Sequence, residues 1–358
     1  MVLQRIAEVG GIFLAWSDRE WALDGAAVRV SMVGFDDGSQ KRRILDGRVA
    51  SAIHPDLTTG AELTTMRALR GNRGRCFVGS TKKGPFDIPG PLARTMLSAP
   101  NPLGRANADV VRPFWIGLDV TNRHRDCWII DFGEMPLAEA ALYEMPFEYV
   151  RDHVFPLRVS HWEARQQRYW WQLARPATDV FKALSPLGRF IASVIVAKHR
   201  LFVWLPAGAH PDHRLVVFAR EDDYFFGVLH SRVHEVWSLR TCSWQGKGND
   251  PVYTPKTCFD PFPFPRPTEE QRAAIGEAAE RLHEVRQSAL DGDTKLTMTG
   301  LYNKRPTWLD NLHRDLDEAV FAAYGWPSDF TDEALLERLL ALNLERAAEE
   351  ERGIITPP

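Results

Sequence analysis

Within one short stretch the chain places Trp244, Gln245, Lys247, Asn249 and Asp250, with Gly246 and Gly248 between them. These side chains are hydrogen-bond donors and acceptors of the kind that read base edges. A glutamine or asparagine amide pairs with adenine, and a carboxylate accepts from the cytosine amino group. Glycine on either side lets the backbone turn them outward. The plainer reading of the same residue types is a solvent-exposed turn. Upstream, Asp222 and Asp223 are placed to cap a helix. Phe226, Leu229, Val233, Val236 and Trp237 then recur at three- and four-residue spacing, which predicts one buried stripe with Arg232 and Arg240 facing outward. Downstream, Tyr253-Thr254-Pro255 and Pro261-Phe262-Pro263-Phe264-Pro265 predict that no further helix forms.

Other reactive patterns are weaker. Asp293-Thr294-Lys295 offers an acid and a lysine without a second acid to share a magnesium ion. His230 and His234 have the spacing of a zinc-binding helix, but Ser231-Arg232 stands where such a motif carries its glutamate, so packed or capping histidines are expected. Cys76, Cys127, Cys242 and Cys258 form no close pair, which predicts reduced, buried thiols and no metal site.

A chain of 358 residues with 44% hydrophobic and 25% charged residues can bury a sizeable core in two or three structural units. Its net charge of -3 is unevenly spread. Residues 266–358 hold 11 basic against 19 acidic residues, a net of -8, which leaves +5 on the residues before them. Residues 151–200 carry nine basic residues, among them Arg165, Arg168, Lys198 and Arg200, against three acidic ones. Such an excess can neutralise phosphates, or it can be a solvated mixed-charge face. No apolar run approaches the roughly 20 residues that span a bilayer, and residues 12–16 lack a signal-peptide layout. A cytoplasmic protein without a membrane partner is expected.

The elements that would position these residues follow from changes of period. Residues 12–16 and 27–35 alternate as two strands around an Asp24-Gly25 turn, with a short strand near Ile44. Short strands are predicted at 76–79, 128–132, 201–205 and 215–219. Helices are predicted at 90–97, 137–151, 162–174 and 179–190. In the third, Trp162, Tyr169, Trp170 and Trp171 interleave with arginines; aromatics at this spacing read first as core. The acidic tail predicts helices at 269–290, with Ile275, Ala279, Leu282 and Val285 on one face, and at 306–324 and 331–352.

Several long motifs carry a family resemblance. Beside residues 222–265 these are Arg105-Ala106-Asn107-Ala108-Asp109-Val110-Val111-Arg112-Pro113, Arg125-Asp126-Cys127-Trp128-Ile129-Ile130-Asp131-Phe132-Gly133, residues 197–204, and Leu301-Tyr302-Asn303. Together they resemble the C-terminal half of MmeI-like (Type IIL) restriction-modification enzymes, which are adenine-specific DNA methyltransferases. The likeness runs from Ile12 to about Trp326. It implies an α+β chain with an N-terminal β-hairpin, a mixed-sheet DNA target-recognition domain and a C-terminal helical tail, divided as 1–45, 46–265 and 266–358. The hairpin would finish the methyltransferase sheet, and the partner would be double-stranded DNA.

By position the resemblance assigns base recognition to His213, Arg214, Gln245, Lys247, Asn249 and Asp250. It gives backbone contact or support to Arg105, Asn107, Arg112, Arg165, Arg168, Lys198, Arg200, Arg232, Arg240, Tyr253 and Thr254; the alternative for Arg105, Asn107 and Arg112 is that they cap neighbouring elements. The family's catalytic motifs are missing. Gly10-Gly11 lacks the spaced glycines of an S-adenosylmethionine turn, and Asn101-Pro102-Leu103-Gly104 lacks the second proline and the aromatic on which a flipped base would stack. The implied cofactor, S-adenosylmethionine, is therefore expected on a separate methyltransferase catalytic subunit and not in this chain. A remnant of a broken gene and a compact stand-alone DNA-processing enzyme are the rival readings.

Overall fold

The computed structural model describes residues 2–23, 26–245 and 250–358. The backbone gathers into two compact units of interleaved segments. One comprises Met1–Arg73, Arg232–Thr268 and Val320–Pro358, and the other Gly74–Ser231 and Glu269–Ala319. Neither unit is a continuous stretch, so sequence divisions at 45 and 265 do not by themselves delimit it.

In the first unit the predicted hairpin forms, with longer strands than the periodicity indicated. Gly11–Leu23 pairs antiparallel with Ala26–Asp36. Arg43–Leu45 adds parallel to Gly11–Leu23, and Arg48–Ala50 completes the sheet. Ile12 and Ala15 are buried with Ile53 and Leu57, which anchors one face. Ala26–Asp36 lies at the edge, where Phe35 is 56% exposed. Its end is fixed by Asp36, whose carboxylate accepts from the amides of Gly38 and Gln40.

Residues 222–241 depart from the single amphipathic helix predicted. Helix Asp223–His230 ends at Ser231, whose backbone is extended (φ -69°, ψ 155°), and Arg232–Thr241 starts anew. Asp222 does cap, accepting from the Phe225 amide at 3.0 Å. Yet residues 224–230 are all buried, so this helix is wrapped by protein and has no free polar face. Phe226, Leu229, Val233 and Trp237 are buried as the stripe predicts, while Val236 is half-buried.

The proline-rich exit also departs from expectation, because Pro255–Phe259 forms one π-helical turn. Proline at the first helical position sacrifices only an amide that would have no partner. Beyond it the chain is irregular and its carbonyls are met by side chains, Asn72 donating to Phe262 O at 2.8 Å and Asn343 to Pro261 O at 2.6 Å. Phe262 and Phe264 meet edge to face at 4.9 Å.

The second unit has two mixed-order sheets. One runs Phe202–Pro206, Arg189–Val194, Leu215–Phe218, Cys76–Val78, all antiparallel. The other runs His210–Pro211, Val111–Trp115, Cys127–Ile130, Asp87–Pro89, with the first pair parallel. Helix Gly90–Ser98 is as predicted, but three others are shorter. Residues 137–151 split into Leu137–Ala140 and Glu144–His153 because Pro146 has no amide for Leu142 and its ring crowds that carbonyl. The helix expected at 162–174 is confined to Ala164–Arg168; beyond it Trp171 is buried, and Arg158 takes the carbonyls of Trp170 and Gln172. The helix expected at 179–190 is Thr178–Leu184, ended by Pro186 and Gly188, and Arg189 begins a central strand. That strand is buried on both faces from Phe190 to Val194 and therefore lacks the alternation that would reveal it.

Tail helices Glu269–Gly292, Thr307–Tyr324 and Asp332–Glu351 form as predicted, with Thr331 accepting from the Ala334 amide. On the first of them Val285 is exposed, and Arg286 is buried instead. Its guanidinium donates to Phe202 O at 2.8 Å and Tyr302 Oη at 3.2 Å, and lies 3.2 Å from His230 Nε2. Tyr302 Oη also meets His313 Nε2 at 3.0 Å. Burial, reinforced by Arg286, holds His230 well below the usual histidine range and His283 at about 4. Burial and then Arg305 and Arg286 hold His313 at about 3.

Two predictions follow from this packing. A Cβ on Gly227 would lie 2.8 Å from Ile275 Cγ2 and 3.0 Å from Ala279 Cβ, whereas one on Gly276 meets nothing closer than 3.8 Å. Gly227→Ala should lower unfolding free energy by about 1–3 kcal/mol through overpacking. Gly276→Ala should leave it unchanged or raise it by up to about 1 kcal/mol, as read from denaturant midpoints.

The second concerns acid. The three histidines are neutral in the fold but would bind protons near 6.5 when unfolded. Their contribution is present above 6.5 and is lost as pH falls through about 4 to 3. Asp131, raised to about 6 by burial, acts oppositely, stabilising below 3.8 and losing that effect as pH rises through 6. His210, which burial holds at about 3, acts with the three, so four groups outweigh one and the melting temperature should fall steadily from pH 7 to pH 4; a flat profile would contradict the buried neutral histidines.

Candidate nucleic-acid interface

The polar stretch at 244–250 is built on a two-stranded ribbon. Ser243–Gln245 pairs antiparallel with Asp250–Val252, setting Gln245 directly across from Asp250. Ser243, Trp244 and Gln245 are exposed, Asp250 is half-buried, and Lys247 and Asn249 lie outside the described residues, as do Gly246 and Gly248. The ribbon's root is buried at Val252 and Tyr253, and Tyr253 Oη meets His234 Nε2 at 3.0 Å. Thr254 Oγ1 meets Thr257 Oγ1 at 2.6 Å and opens the π-helical turn. Arg232 donates to Phe330 O and Asp332 Oδ1 at the start of the last helix, so it is engaged, while Arg240 is exposed, 3.6 Å from Asp56.

The second unit holds the other candidate, the turn at 212–214. Asp212 is only 4% exposed and organises it. One carboxylate oxygen accepts from the Arg214 amide at 2.9 Å, and the other meets His213 Nδ1 at 2.9 Å. The Asp212 amide donates to Trp115 O, and Ile195 donates to Arg214 O, each at 2.9 Å. His213 and Arg214 are exposed on this framework. An aspartate that hydrogen-bonds the backbone two residues on is a local signal readable from the sequence.

The basic excess at 151–200 does not form one open face. Arg158 and Arg200 are buried. Arg158 donates to the carbonyls of Lys82, Lys83, Trp170 and Gln172, and burial, then Arg165, lowers its pKa to about 10. Arg189 pairs with Asp223 at 2.6 Å and lies over Trp204, Arg151 pairs with Asp152, and Lys198 donates to Asn303 at 2.7 Å. Arg165 and Arg168 remain exposed, Arg165 donating to Ala174 O at 2.8 Å and Arg168 lying over Tyr169. Of the interleaved aromatics Trp171 is buried, Tyr169 and Trp170 are half-buried, and Trp162 is 85% exposed.

The third candidate group is engaged within the fold. Buried Asn107 donates to Met96 O at 2.7 Å and Ala99 O at 3.2 Å, closing the C-terminus of helix Gly90–Ser98. Arg105 donates to Tyr143 Oη and Glu139 Oε1. Arg112 donates to Asp109 O and lies over Phe181 at the mouth of a cavity of about 450 Å³ that Trp128 and Phe190 also line.

The two stretches with a partial likeness to a cofactor turn and a flipped-base loop are engaged within the fold. A Cβ at Gly10 would collide with the Asp36 carbonyl, so this glycine serves strand packing and leaves no cradle. Asn101 has its side chain committed to Arg105 O, Asn107 Oδ1 and the Glu144 amide. Asp293 accepts from the Lys295 amide in a local turn. Among the described residues no cluster of histidine, cysteine or acidic side chains is placed to hold a metal, and no helix is long and apolar enough to cross a membrane. None of the four cysteines is in a disulfide; Cys258 is buried and the other three are half-buried.

No protein-family model matches the sequence, and no curated protein matches it. The fold has a solved counterpart. The structure of the Type IIL restriction-modification enzyme MmeI in complex with DNA matches with a TM-score of 0.73 at 17% sequence identity, covering 96% of this chain and 47% of that chain. This chain thus spans about half the length of the MmeI chain, and its own mixed α/β architecture, with an N-terminal hairpin and C-terminal helices, is consistent with that fold. At this identity the likeness is one of fold.

The sequence placed Asp212 in the polar loop with His213 and Arg214 but gave it no role of its own, and left Arg158 and the contact of Ser80 with His210 unassigned. For the last two no local pattern exists, since each joins segments more than 70 residues apart. Arg158→Ala would strand the carbonyls of Lys83, Trp170 and Gln172 while Lys82 O keeps the Ala174 amide, and should cost about 2–5 kcal/mol, whereas Arg168→Ala should change stability by no more than about 0.5 kcal/mol. Chemical denaturation of both variants checks this, and equal effects would contradict the assigned roles.

Proposed function

We propose that this chain is the double-stranded DNA target-recognition part of an adenine-specific methylation system of the restriction-modification kind. The observation that carries the reading is a fold shared with an enzyme solved on DNA, bearing exposed polar side chains on the 212–214 turn and on the strand Ser243–Gln245 of a two-stranded ribbon. Arg214 can fork onto guanine O6 and N7, Gln245 can pair with adenine, and Asp250 can accept from a cytosine amino group. Lys247 and Asn249, between Gln245 and Asp250 in sequence, extend the same chemistry. Exposed Arg165 and Arg168 supply sequence-independent phosphate contact, and buried Asn107, Arg200 and Tyr253 support the surface. S-adenosylmethionine is bound by a partner catalytic chain. The outer edge of strand Ala26–Asp36, with Phe35 and Met32 exposed, offers that chain an edge on which strands can add.

The purified chain should bind duplex DNA with affinity that falls steeply with salt, and should transfer no methyl group unaided. In binding-site selection, Arg214→Ala and Gln245→Ala should each relax the preferred sequence, a lost base contact costing about 1–3 kcal/mol. Arg168→Ala should weaken all sequences alike and lower the salt slope by about one unit. Selection that returns an unchanged motif for both of these variants would remove the turn and the ribbon from recognition, and methylation by the chain alone would overturn the division of labour.

A further inference from the structure

Directly beneath the 212–214 turn lie three buried polar side chains from three segments. Ser80 Oγ meets His210 Nε2 at 2.6 Å, and His210 Nδ1 stands 3.8 Å from Asp131 Oδ2. Ser80 is 1% exposed, His210 0%, and the Asp131 side chain 8%. Asp131 is steadied by the Gly133 amide at 2.8 Å, and the imidazole sits between the rings of Phe114 and Phe181. Serine, histidine and aspartate in this order resemble a hydrolase triad. A nucleophile must be reached by its substrate, however, and Ser80 is closed off and lines none of the cavities described.

What the cluster does touch is the turn. The Ser80 amide donates to Pro211 O at 3.0 Å, Ser80 bridges Asp212, and Gly79 donates to Leu215 O at 3.1 Å. A Cβ on Gly79 would collide with the carbonyls of Pro211 and Asp212, so the two backbones are in closest approach here. Burial, with Arg112 adding to it, lowers His210 to about 3, which leaves a neutral ring with a single N–H. Nε2 meets the Ser80 hydroxyl, while Nδ1 has no hydrogen-bond partner among the described residues and Asp131 stands 3.8 Å from it, beyond hydrogen-bond reach. The ring is thus held by Ser80 and by the flanking Phe114 and Phe181 rings, and the residues that follow His210 are the turn itself.

We propose that Ser80 and His210, with Asp131 behind the ring, form a buried relay that fixes the height and rotation of the 212–214 turn, making Ser80 and His210 positioning residues for the bases that His213 and Arg214 meet. The proposal rests on the DNA-reading assignment of that turn. It goes beyond that assignment in making sequence preference depend on side chains that touch no nucleic acid.

The test compares the full chain with its Ser80→Ala, Ser80→Thr and His210→Gln variants. Amide hydrogen exchange without DNA should be about tenfold faster at Asp212, Arg214 and Leu215 in Ser80→Ala and His210→Gln, with threonine restoring the native rate. Binding-site selection should show about a tenfold loss of base preference in the same two variants, an unchanged salt slope, and recovery with threonine. Native exchange rates in both Ser80→Ala and His210→Gln overturn the relay. Altered exchange with the wild-type motif retained overturns its role in specificity and leaves the DNA reading standing. If the wild-type chain selects no sequence, the DNA reading of the turn falls and the proposal with it. Labelling of Ser80 by a fluorophosphonate would also overturn the relay, in favour of an accessible nucleophile.

Discussion

Arg286 is a guanidinium 1% exposed whose described partners are all neutral: the Phe202 carbonyl, the Tyr302 hydroxyl and His230 Nε2. A buried cation is tolerated only when its donors are satisfied, so the four elements that supply and surround these acceptors must arrive together. Strand Phe202–Pro206, helix Asp223–His230, helix Glu269–Gly292 and helix Met298–Lys304 are fastened at one point. Gly227 lets two of those helices approach. Neutral histidines are a condition of this arrangement, because a second charge beside Arg286 would have no counter-ion.

This constraint explains why much of the motif content is structural. Tyr302 bonds to Arg286, Asn303 receives Lys198 and lies 2.9 Å from His199, Asn107 closes a helix, and Asp131 lies under a turn. Among the described candidate residues, those exposed enough to meet a nucleic acid are fewer: His213, Arg214, Trp244, Gln245, Arg165, Arg168, Lys198 and Arg240. A rigid base carrying few exposed polar groups is what sequence-specific recognition needs, since flexible contacts lose conformational entropy on binding.

The hairpin, most short strands and the tail helices were legible because each buries one face and so shows its period. The strand Arg189–Val194 was hidden because both faces are buried, and the helix expected at 162–174 failed because Trp171 and the carbonyls taken by Arg158 follow tertiary demands. The split at Ser231 had no counterpart in the apolar spacing, which continues through it. For the site, the polar residue types were visible, and Asp212 two positions before Arg214 is a local turn signal. The register that sets Gln245 across from Asp250, and the meeting of Ser80 with His210, depend on pairings across sequence that no spacing encodes.

The central claim is that the 212–214 turn and the ribbon of Ser243–Gln245 with Asp250–Val252 face bases. The most direct measurement is photocrosslinking of the chain to duplex DNA in which thymines of its selected site are replaced by 5-iodouracil, with the attached residues read by mass spectrometry. The account predicts attachment at or beside His213 and Trp244, the oxidisable side chains of the turn and the ribbon. Efficient crosslinks confined to the acidic tail helices, with none in 212–214 or 243–250, would contradict it.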